Sequence, residues 1–403
     1  MRWHTVRQWI NRPLLAGMLA MTAPAAFGTD FADGLFEVDT FGTFGVAKSS
    51  RHTPFYRTNS SYQYGVDDSW SARLDSKIGL QVTVNATDQL AFTGQVLARR
   101  NGGDEFEPEL TWGYARWRPD EHIEVRLGRF RPTLFLITDS YDVGYSQPWV
   151  RPPAEMYNLG GETTSLDGIE ARYRTPLWGM NLSVNAHIGQ TELHRPNYGM
   201  KVTKNTGLSF ALIDPHLTVR FSLIQASTNL SSSRINSITN LIARQNQAVA
   251  AEYATDSVSD QRYSALSLRY EKNDWLVMAE LATTELQRKS LPNQLAGYLT
   301  VGHTFGNWTP YTTYAQGRVI GSLTEDRLTG AASTAANALL KARNINQQTL
   351  SAGVRWDALP GIAIKAQFDY VKPEKGAYGL QMAPLPTNVS HLNVASLVMD
   401  WAF

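Results

Sequence analysis

The chain has 403 residues, a formal net charge of +1, 18% charged residues, and no basic arm or acidic tail. This balance argues against nucleic acid as a partner, because phosphate backbones are bound by clustered positive charge. The absence of cysteine excludes disulfides, thiolate metal sites and cysteine nucleophiles. The length alone suggests two or three domains, but a large barrel of this size is a single domain.

Residues 1–28 predict a cleaved secretory signal peptide. Three arginines and no acid precede a short apolar run, Leu14–Met21, and small residues follow at Ala23–Gly28. A buried amino-terminal helix is the alternative. Neither this run nor any later stretch has the length or hydrophobicity of a membrane-spanning helix, which needs about 20 apolar residues. We therefore expect an exported chain, with residues 29–403 either soluble outside the inner membrane or forming a membrane β-barrel.

Polar and apolar residues alternate with a period of two through most of the chain. In Trp70–Ala86, for example, Leu74, Ile78 and Leu80 share one face and lysine, aspartate and glutamine share the other. This is the period of a β-strand rather than a helix. A short turn at Thr87–Gln89 then leads into Leu90–Arg100, and the pattern recurs in roughly sixteen segments.

Short and long connections alternate between these segments. Two long connections contain helix-like apolar spacing, at Ile235–Ala251 and Ala331–Ala342. The predicted long connections are Ser49–Ser69, Asn101–Glu107, Arg131–Thr164, Gln190–Val202, Ala226–Asp260, Gln287–Asn293, Arg318–Asn346 and Lys372–His391.

This pattern predicts an all-β fold, a transmembrane antiparallel β-barrel of about 16 strands with long extracellular loops and short periplasmic turns. A soluble β-sandwich is the alternative, since it also has one apolar face. Two features favour the barrel, because many polar faces carry several arginines or lysines and tryptophan recurs at strand ends. These tryptophans are Trp117, Trp178, Trp275, Trp308, Trp356 and Trp401.

The last segment, Asn393–Phe403, places Leu397, Met399, Trp401 and Phe403 on one face and stops at the aromatic residue. It resembles the terminal strand of Gram-negative outer-membrane proteins. The resemblance implies that Trp401 and Phe403 form an assembly signal for the barrel assembly machinery.

The whole mature chain resembles the trimeric Gram-negative porins, through its strand number, its terminal Phe403 and a long connection between the fifth and sixth strands. In that family the third extracellular loop folds into the barrel and narrows the pore. The resemblance makes residues 131–164 a candidate constriction loop, either folded inward or standing outside as a cap. The family motif Pro-Glu-Phe-Gly-Gly is absent from this loop. Its candidate site residues are Arg131, Asp139, Asp142, Arg151 and Glu155.

Side chains along a strand point alternately inward and outward, and this parity places residues of both charge signs on the inner face of the barrel. We expect the loop acids on one side and wall arginines on the other, so that a transverse field orders polar solutes. The predicted basic wall residues are Arg73, Lys77, Arg99, Arg126, Arg172, Arg174, Arg220, Arg269, Arg355 and Lys365. The predicted acidic wall residues are Asp75, Glu124, Glu170, Glu280, Asp369 and Asp400. Arg116 is left unassigned because Trp112–Arg118 fits either parity.

The predicted function is a porin, a water-filled channel for ions and small hydrophilic solutes with mild anion preference. We expect a homotrimer in contact with outer-membrane lipid and lipopolysaccharide. The alternative is a plugged, structural or adhesive barrel that binds partners through its long loops. An enzyme is disfavoured, because the eight histidines are scattered and Gly207–Ala211 misses the Gly-x-Ser-x-Gly elbow. No cofactor or metal is expected, and a gated active transporter is disfavoured because no plug domain precedes the first strand.

Overall fold

The computed structural model describes residues 29–31, 34–53, 55–60, 62–160, 165–195, 198–255 and 259–403. The predicted signal peptide, residues 1–28, lies outside these residues. Within the described ranges, every helix is too short or too polar to cross a lipid bilayer.

Sixteen antiparallel strands form a closed barrel, as the sequence predicts. A short strand β1 (Thr29–Phe31) pairs with the start of the first barrel strand, β2. The barrel strands are β2 (Phe36–Ser49), β3 (Lys77–Asn85), β4 (Leu90–Arg100), β5 (Phe106–Trp117), β6 (Ile123–Phe130), β7 (Leu166–Leu177), β8 (Met180–Arg195), β9 (Tyr198–Ile213), β10 (Leu217–Ser231), β11 (Ser259–Lys272), β12 (Trp275–Leu286), β13 (Asn293–His303), β14 (Trp308–Ile320), β15 (Gln347–Leu359), β16 (Ile362–Pro373) and β17 (Leu392–Ala402).

The alternating sequence becomes two distinct faces of the barrel wall. Along β4, Thr93 and Gln95 point inward and are buried, whereas Phe92 and Val96 point outward and are exposed. Large apolar side chains cover the outer face of most other strands in the same way. An outward apolar belt of this kind matches a lipid environment, in which every backbone polar group must be paired within the protein.

The chain terminus closes the barrel. β17 pairs with β2 from Val394 to Ala402, and Phe403 exchanges two backbone hydrogen bonds with Thr40, each 2.7 Å long. The Trp401 ring lies over Gly42, in the space that a Cβ atom at that position would occupy. The seam between the first and last strands therefore depends on a glycine facing a tryptophan.

The short turns occur where the sequence predicts them. β7 and β8 are joined by Trp178-Gly179, and β11 and β12 by Asn273-Asp274, with positive φ at all four residues. Two residues in the left-handed region are the signature of a type I′ turn, which matches the twist of paired strands. Trp178 is the most exposed of the predicted girdle tryptophans, at 85%.

Two strand boundaries differ from the prediction. Trp70–Ala86 was expected to be one strand, but β3 begins only at Lys77, and residues 70–76 are irregular apart from a bridge between Ser71 and Ala47. Gln190–Val202 was expected to be a loop, but β8 and β9 extend through most of it. One bulge accounts for the β9 part of the second error, because the register of β9 shifts against both β8 and β10 around Lys204, whose φ is +49°. The extra residue changes the parity of the pattern along β9. The alternation of β8 is unbroken, but its outer face becomes polar at Gln190, Glu192 and His194, which resembles a loop in sequence.

The helices lie in the long connections. α1 (Ala154–Tyr157) belongs to the connection after β6, α2 (Ser233–Ala243) and α3 (Gln247–Tyr253) follow β10, and α4 (Gly330–Ala342) follows β14. The last three confirm the helix-like spacing in the sequence. They pack in one apolar cluster, here called the helical cap, that includes Ile235, Ile242, Tyr253, Ala336, Leu339 and Leu340.

Ion pairs join the helical cap across three connections. Arg327 donates to Glu325 and Glu252, at 2.8 and 2.6 Å, and Lys289 lies within 3.3 Å of both carboxylates. Hydrogen bonds from Arg327 hold the pKa of Glu325 well below its usual range.

We expect Gly42→Val to weaken closure of the barrel, because the new side chain would displace the Trp401 ring. Overpacking of this kind costs about 1–3 kcal/mol. The measurement is urea unfolding of the purified protein in detergent micelles. Gly199→Val is the matched control, since the nearest atom to a Cβ built at Gly199 lies at an ordinary contact distance of 3.8 Å. Equal losses in both variants would contradict this account of the seam.

Candidate functional site

The connection after β6 lies inside the barrel, and its described part, residues 131–160, is here called the inner loop. Its apolar side chains pack against the inner face of β10–β14. Leu134, Ile137 and Trp149 join one buried cluster with Met278 and Tyr298 of the wall. Burial of an apolar side chain contributes about 1.5–3 kcal/mol, so this contact holds the loop firmly on one side of the lumen.

Polar anchors fix the same side of the inner loop. The Trp149 indole donates to the hydroxyls of Thr300 and Thr313, at 3.0 and 3.1 Å. The Lys365 ammonium donates to the carbonyls of Gly144 and Trp149, and it lies 2.8 Å from Asp400. Lys365 and Asp400 are fully buried, so both predicted wall residues act as anchors for the loop.

Arg151 makes the most extensive of these anchors. Its guanidinium donates to both oxygens of Asp75, at 2.9 and 2.8 Å, to Asp369 at 3.0 Å and to the Ser396 hydroxyl at 2.6 Å. The loop therefore presents a cation to Asp369 of the wall and to Asp75, which was predicted on the wall but lies in the irregular connection before β3. This polarity is opposite to the predicted arrangement of loop acids facing wall arginines.

Asp142 lies between two arginines at the edge of the inner loop. It accepts from Arg131 of the loop at 2.5 Å and from Arg99 of β4 at 2.9 Å. The Arg131 guanidinium also lies over the Tyr141 ring, 5.1 Å from its centroid. The structure thus brings the predicted residues Arg131, Asp142 and Arg99 together in one ion-paired group.

Glu155 and Arg73 lie away from the predicted ring of opposed charges. Glu155 is buried against the wall and accepts hydrogen bonds from Gln347, at 2.6 Å, and from the Thr349 hydroxyl. Arg73 lies in the irregular connection before β3, where its half-exposed side chain pairs with Asp104 at 3.2 Å. Both assignments are corrected. Strand parity does not apply to Arg73, which lies outside a strand, and the packing of the loop turns Glu155 toward the wall.

Two further predicted wall arginines hold the loop backbone. Arg220 donates to the carbonyls of Phe135 and Leu136, at 2.7 and 3.1 Å. Arg355 donates to the carbonyls of Gln147, at 3.0 Å, and Tyr145. No sequence pattern distinguishes these arginines from others on the wall, because their partners are backbone groups of a distant segment.

The inner face of β5–β7 carries a group of basic residues, here called the arginine cluster. Arg126 and Arg118 both contact Glu124, at 2.9 and 2.6 Å, and Arg172 contacts Glu170 at 3.3 Å. From the inner loop, Asp139 approaches Arg172 at 3.7 Å. The cluster consists of Arg116, Arg118, Arg126, Arg172 and Arg174, with Glu124 and Glu170.

The cluster has more arginines than acids. Among the described residues, the guanidinium groups of Arg116 and Arg174 have no carboxylate within 4.0 Å. Asp139 is half-exposed and is the one predicted loop acid that reaches this side of the lumen. Two predicted wall residues remain. Lys77 lies on the inner face at the start of β3, and Arg269 lies on the inner face of β11, where it pairs with Glu271 at 2.6 Å.

The sequence left Arg116 unassigned because of a bulge. Gln95 of β4 pairs with Trp112 and Val96 pairs with Leu110, so Thr111 is an extra residue on β5. Parity therefore changes at Thr111, and Arg116 pairs directly opposite Arg126 on the inner face. Thr111 is fully buried and accepts from the Gln95 amide at 2.7 Å.

We expect Arg151→Gln to destabilise the protein, because Asp75 and Asp369 would keep buried charges without a cation. Breaking a buried ion pair costs about 3–5 kcal/mol. The measurement is urea unfolding in detergent micelles. Arg73→Gln is the matched control, since a half-exposed pair contributes at most about 1 kcal/mol. Equal losses would show that Arg151 does not anchor the loop.

No family model matches this chain, and no curated protein matches it. Solved structures do resemble it over nearly the whole length. OmpT of Vibrio cholerae has 11% identity and a TM-score of 0.56, covering 93% of this chain and 100% of its own. Salmonella typhi OmpF, in complex with daunomycin, has 11% identity and a TM-score of 0.55, with the same coverage. The anion-selective porin from Comamonas acidovorans has 14% identity and a TM-score of 0.53, covering 91% and 100%. The chain thus has the porin fold, a closed sixteen-stranded barrel.

Proposed function

We propose that the chain is an outer-membrane porin, which forms a water-filled channel for passive diffusion of ions and small hydrophilic solutes. The single observation that carries this proposal is the pair of arginines, Arg116 and Arg174, without a carboxylate partner on the inner face. A buried unpaired charge costs several kcal/mol or more, whereas a hydrated one does not. Water in front of the arginine cluster is the arrangement that keeps both groups charged at low cost.

The position of the inner loop supports the same proposal. Most of its anchors attach it to β10–β17, and single contacts reach Arg99 of β4, Arg172 of β7 and Asn185 of β8. The passage that remains runs along the arginine cluster, beside the contact of 3.7 Å between Asp139 of the loop and Arg172 of the wall. A loop that packs mainly against one side of a lumen narrows the passage, so residues 131–164 act as the constriction loop in this proposal.

Mild anion selectivity follows from the charges along this passage. The arginine cluster has five arginines and two glutamates, and Asp139 adds one opposing carboxylate. In a narrow passage with low-dielectric walls, an excess of one sign raises the local concentration of the opposite ion. Chloride and small organic anions would therefore pass more readily than potassium or sodium.

Export, location and assembly are parts of the same proposal. Residues 1–28 act as a cleaved signal peptide, and Trp401 and Phe403, which lie at the seam, act as the assembly signal. The outer apolar belt contacts membrane lipid and lipopolysaccharide. A homotrimer is supported by a hollow on the outer face, where Gly94 and Gly113 pair across β4 and β5. A trimer form of Vibrio cholerae OmpT is among the similar structures.

A plugged or adhesive barrel remains the second candidate function. The packing of the inner loop and the presence of the helical cap favour it, because both place ordered protein in or over the lumen. In that case the long connections would bind a partner and no solute would cross.

We expect stepwise ion conductance from the purified protein in planar lipid bilayers, with closures in groups of three for a trimer. Deleting Thr133–Pro152 should raise the conductance, because it removes the constriction. Asp139→Trp, which keeps all anchors, should lower it by narrowing the passage. A folded protein that conducts no current would overturn the channel and favour the plugged barrel. Conductance that neither variant changes would place the constriction elsewhere.

We expect a reversal potential of anion-selective sign in a potassium chloride gradient. Replacing both unpaired arginines, Arg116→Gln with Arg174→Gln, should move the reversal potential toward cation selectivity. Arg318→Gln, on the exposed outer face of β14, is the matched control with no expected effect. Cation preference in the unmodified protein would contradict the assignment of the arginine cluster.

A further inference from the structure

A cavity of about 520 Å³ lies on the long-loop side of the inner loop. Its lining includes Phe135 and Tyr141 of the inner loop, Ile224 and Tyr263 of the wall, and Arg343 at the end of α4. Sites for small organic molecules commonly measure 300–1,000 Å³ and combine an apolar lining with a few polar groups. The size and position of this cavity suit one solute at the entrance to the lumen.

Aromatic rings form part of the lining. The Phe135 and Tyr157 ring centroids are 4.9 Å apart, and those of Tyr141 and Tyr157 are 5.5 Å apart. Phe135, Tyr141 and Tyr263 are each only partly buried, so part of each ring faces the cavity. Rings in this arrangement offer flat surfaces that favour stacking with another ring.

The charged residues that line the cavity are mainly basic. The lining contains six arginines, three glutamates and no aspartate. Asp142 pairs with Arg99 and Arg131, and Asp104 pairs with Arg100, so the excess of positive charge that remains is small. Beside an apolar surface, it favours a solute that combines an anionic group with an apolar body. The charged lining residues are Arg57, Arg99, Arg100, Arg131, Arg195 and Arg343, with Glu107, Glu109 and Glu192.

Arg343 differs from the ion-paired arginines Arg99 and Arg131. In the part of the chain that the structure describes, its guanidinium has no hydrogen bond to a carbonyl and no ion pair with a carboxylate. Burial, together with the nearby Arg234, lowers the pKa of Arg343. A bound carboxylate would supply the missing partner through charge-assisted hydrogen bonds.

We propose that this cavity binds an aromatic carboxylate, with the ring against Phe135, Tyr141 and Tyr263 and the carboxylate at Arg343. The inference deepens the proposed function and rests on it, because it makes this class of anion a preferred solute of the channel. Phosphate or sulfate would gain nothing from the aromatic lining. A neutral sugar would gain nothing from the excess of arginines.

The test is block of the chloride current in planar bilayers by benzoate, added to each side in turn at neutral pH. Benzoate should reduce the current in a saturable manner from the side that exposes the long loops. Acetate carries the same charge without a ring, and benzyl alcohol carries the ring without a charge. Acetate and benzyl alcohol should each need a concentration about tenfold higher than that of benzoate to reduce the current equally, because each loses one of the two contacts.

Variants separate the site from general charge effects. Arg343→Gln and Tyr263→Ser should each raise the half-blocking concentration of benzoate about tenfold. Lys341→Gln is the matched control, because it removes the same charge from the exposed face of α4 and does not line the cavity. If Lys341→Gln weakens the block as much as Arg343→Gln, the effect is bulk charge and the assigned site is wrong.

Failure of the aromatic carboxylate site and failure of the porin function give different results in these experiments. A conducting channel that benzoate blocks no better than acetate overturns the aromatic carboxylate site and leaves the porin function standing. A folded protein without conductance overturns the porin function. In that case equilibrium dialysis of radiolabelled benzoate against the protein in micelles decides the site. Saturable binding that Arg343→Gln weakens supports it, and absence of binding overturns it.

Discussion

The structure depends on a closed ladder of backbone hydrogen bonds around sixteen strands. The backbone N–H and C=O groups of each strand bond to those of its neighbours, and the pairing of β17 with β2 removes the last free edge. Once closure is achieved, the period of two separates side chains into an apolar exterior and a polar interior. Gly42 and Trp401 matter because they lie at the one seam where the ends of the chain meet.

The interior is organised by the way in which the inner loop attaches to the wall. Its apolar side chains cover the inner face of β10–β14, and Arg151, Lys365 and Arg355 tie it by buried or backbone contacts. Most of the acids and several of the cations on the side of the lumen that the loop covers are paired in these contacts. The arginine cluster on β5–β7 is left facing the lumen with fewer acids than arginines, and the asymmetry supports the proposed anion preference.

Much of the fold follows from local pattern, and the site follows much less. Alternation predicts the barrel, the short turns and the terminal strand, and apolar spacing predicts α2–α4. Bulges at Thr111 and around Lys204 break the parity, which hides the start of β9 and the inward direction of Arg116. Parity also cannot assign Arg73 or Glu155, because neither residue lies in a strand.

The sequence by itself determined that the chain forms a β-barrel with a long charged loop after its fifth strand, because strand period and connection length are local properties. Only the tertiary structure decided which charges pair. Arg151 meets Asp75 and Asp369, and Glu155 meets Gln347 and Thr349, across more than fifty residues of chain in every case. Such contacts depend on where a folded loop lies in the lumen, and no periodicity along the chain encodes that position.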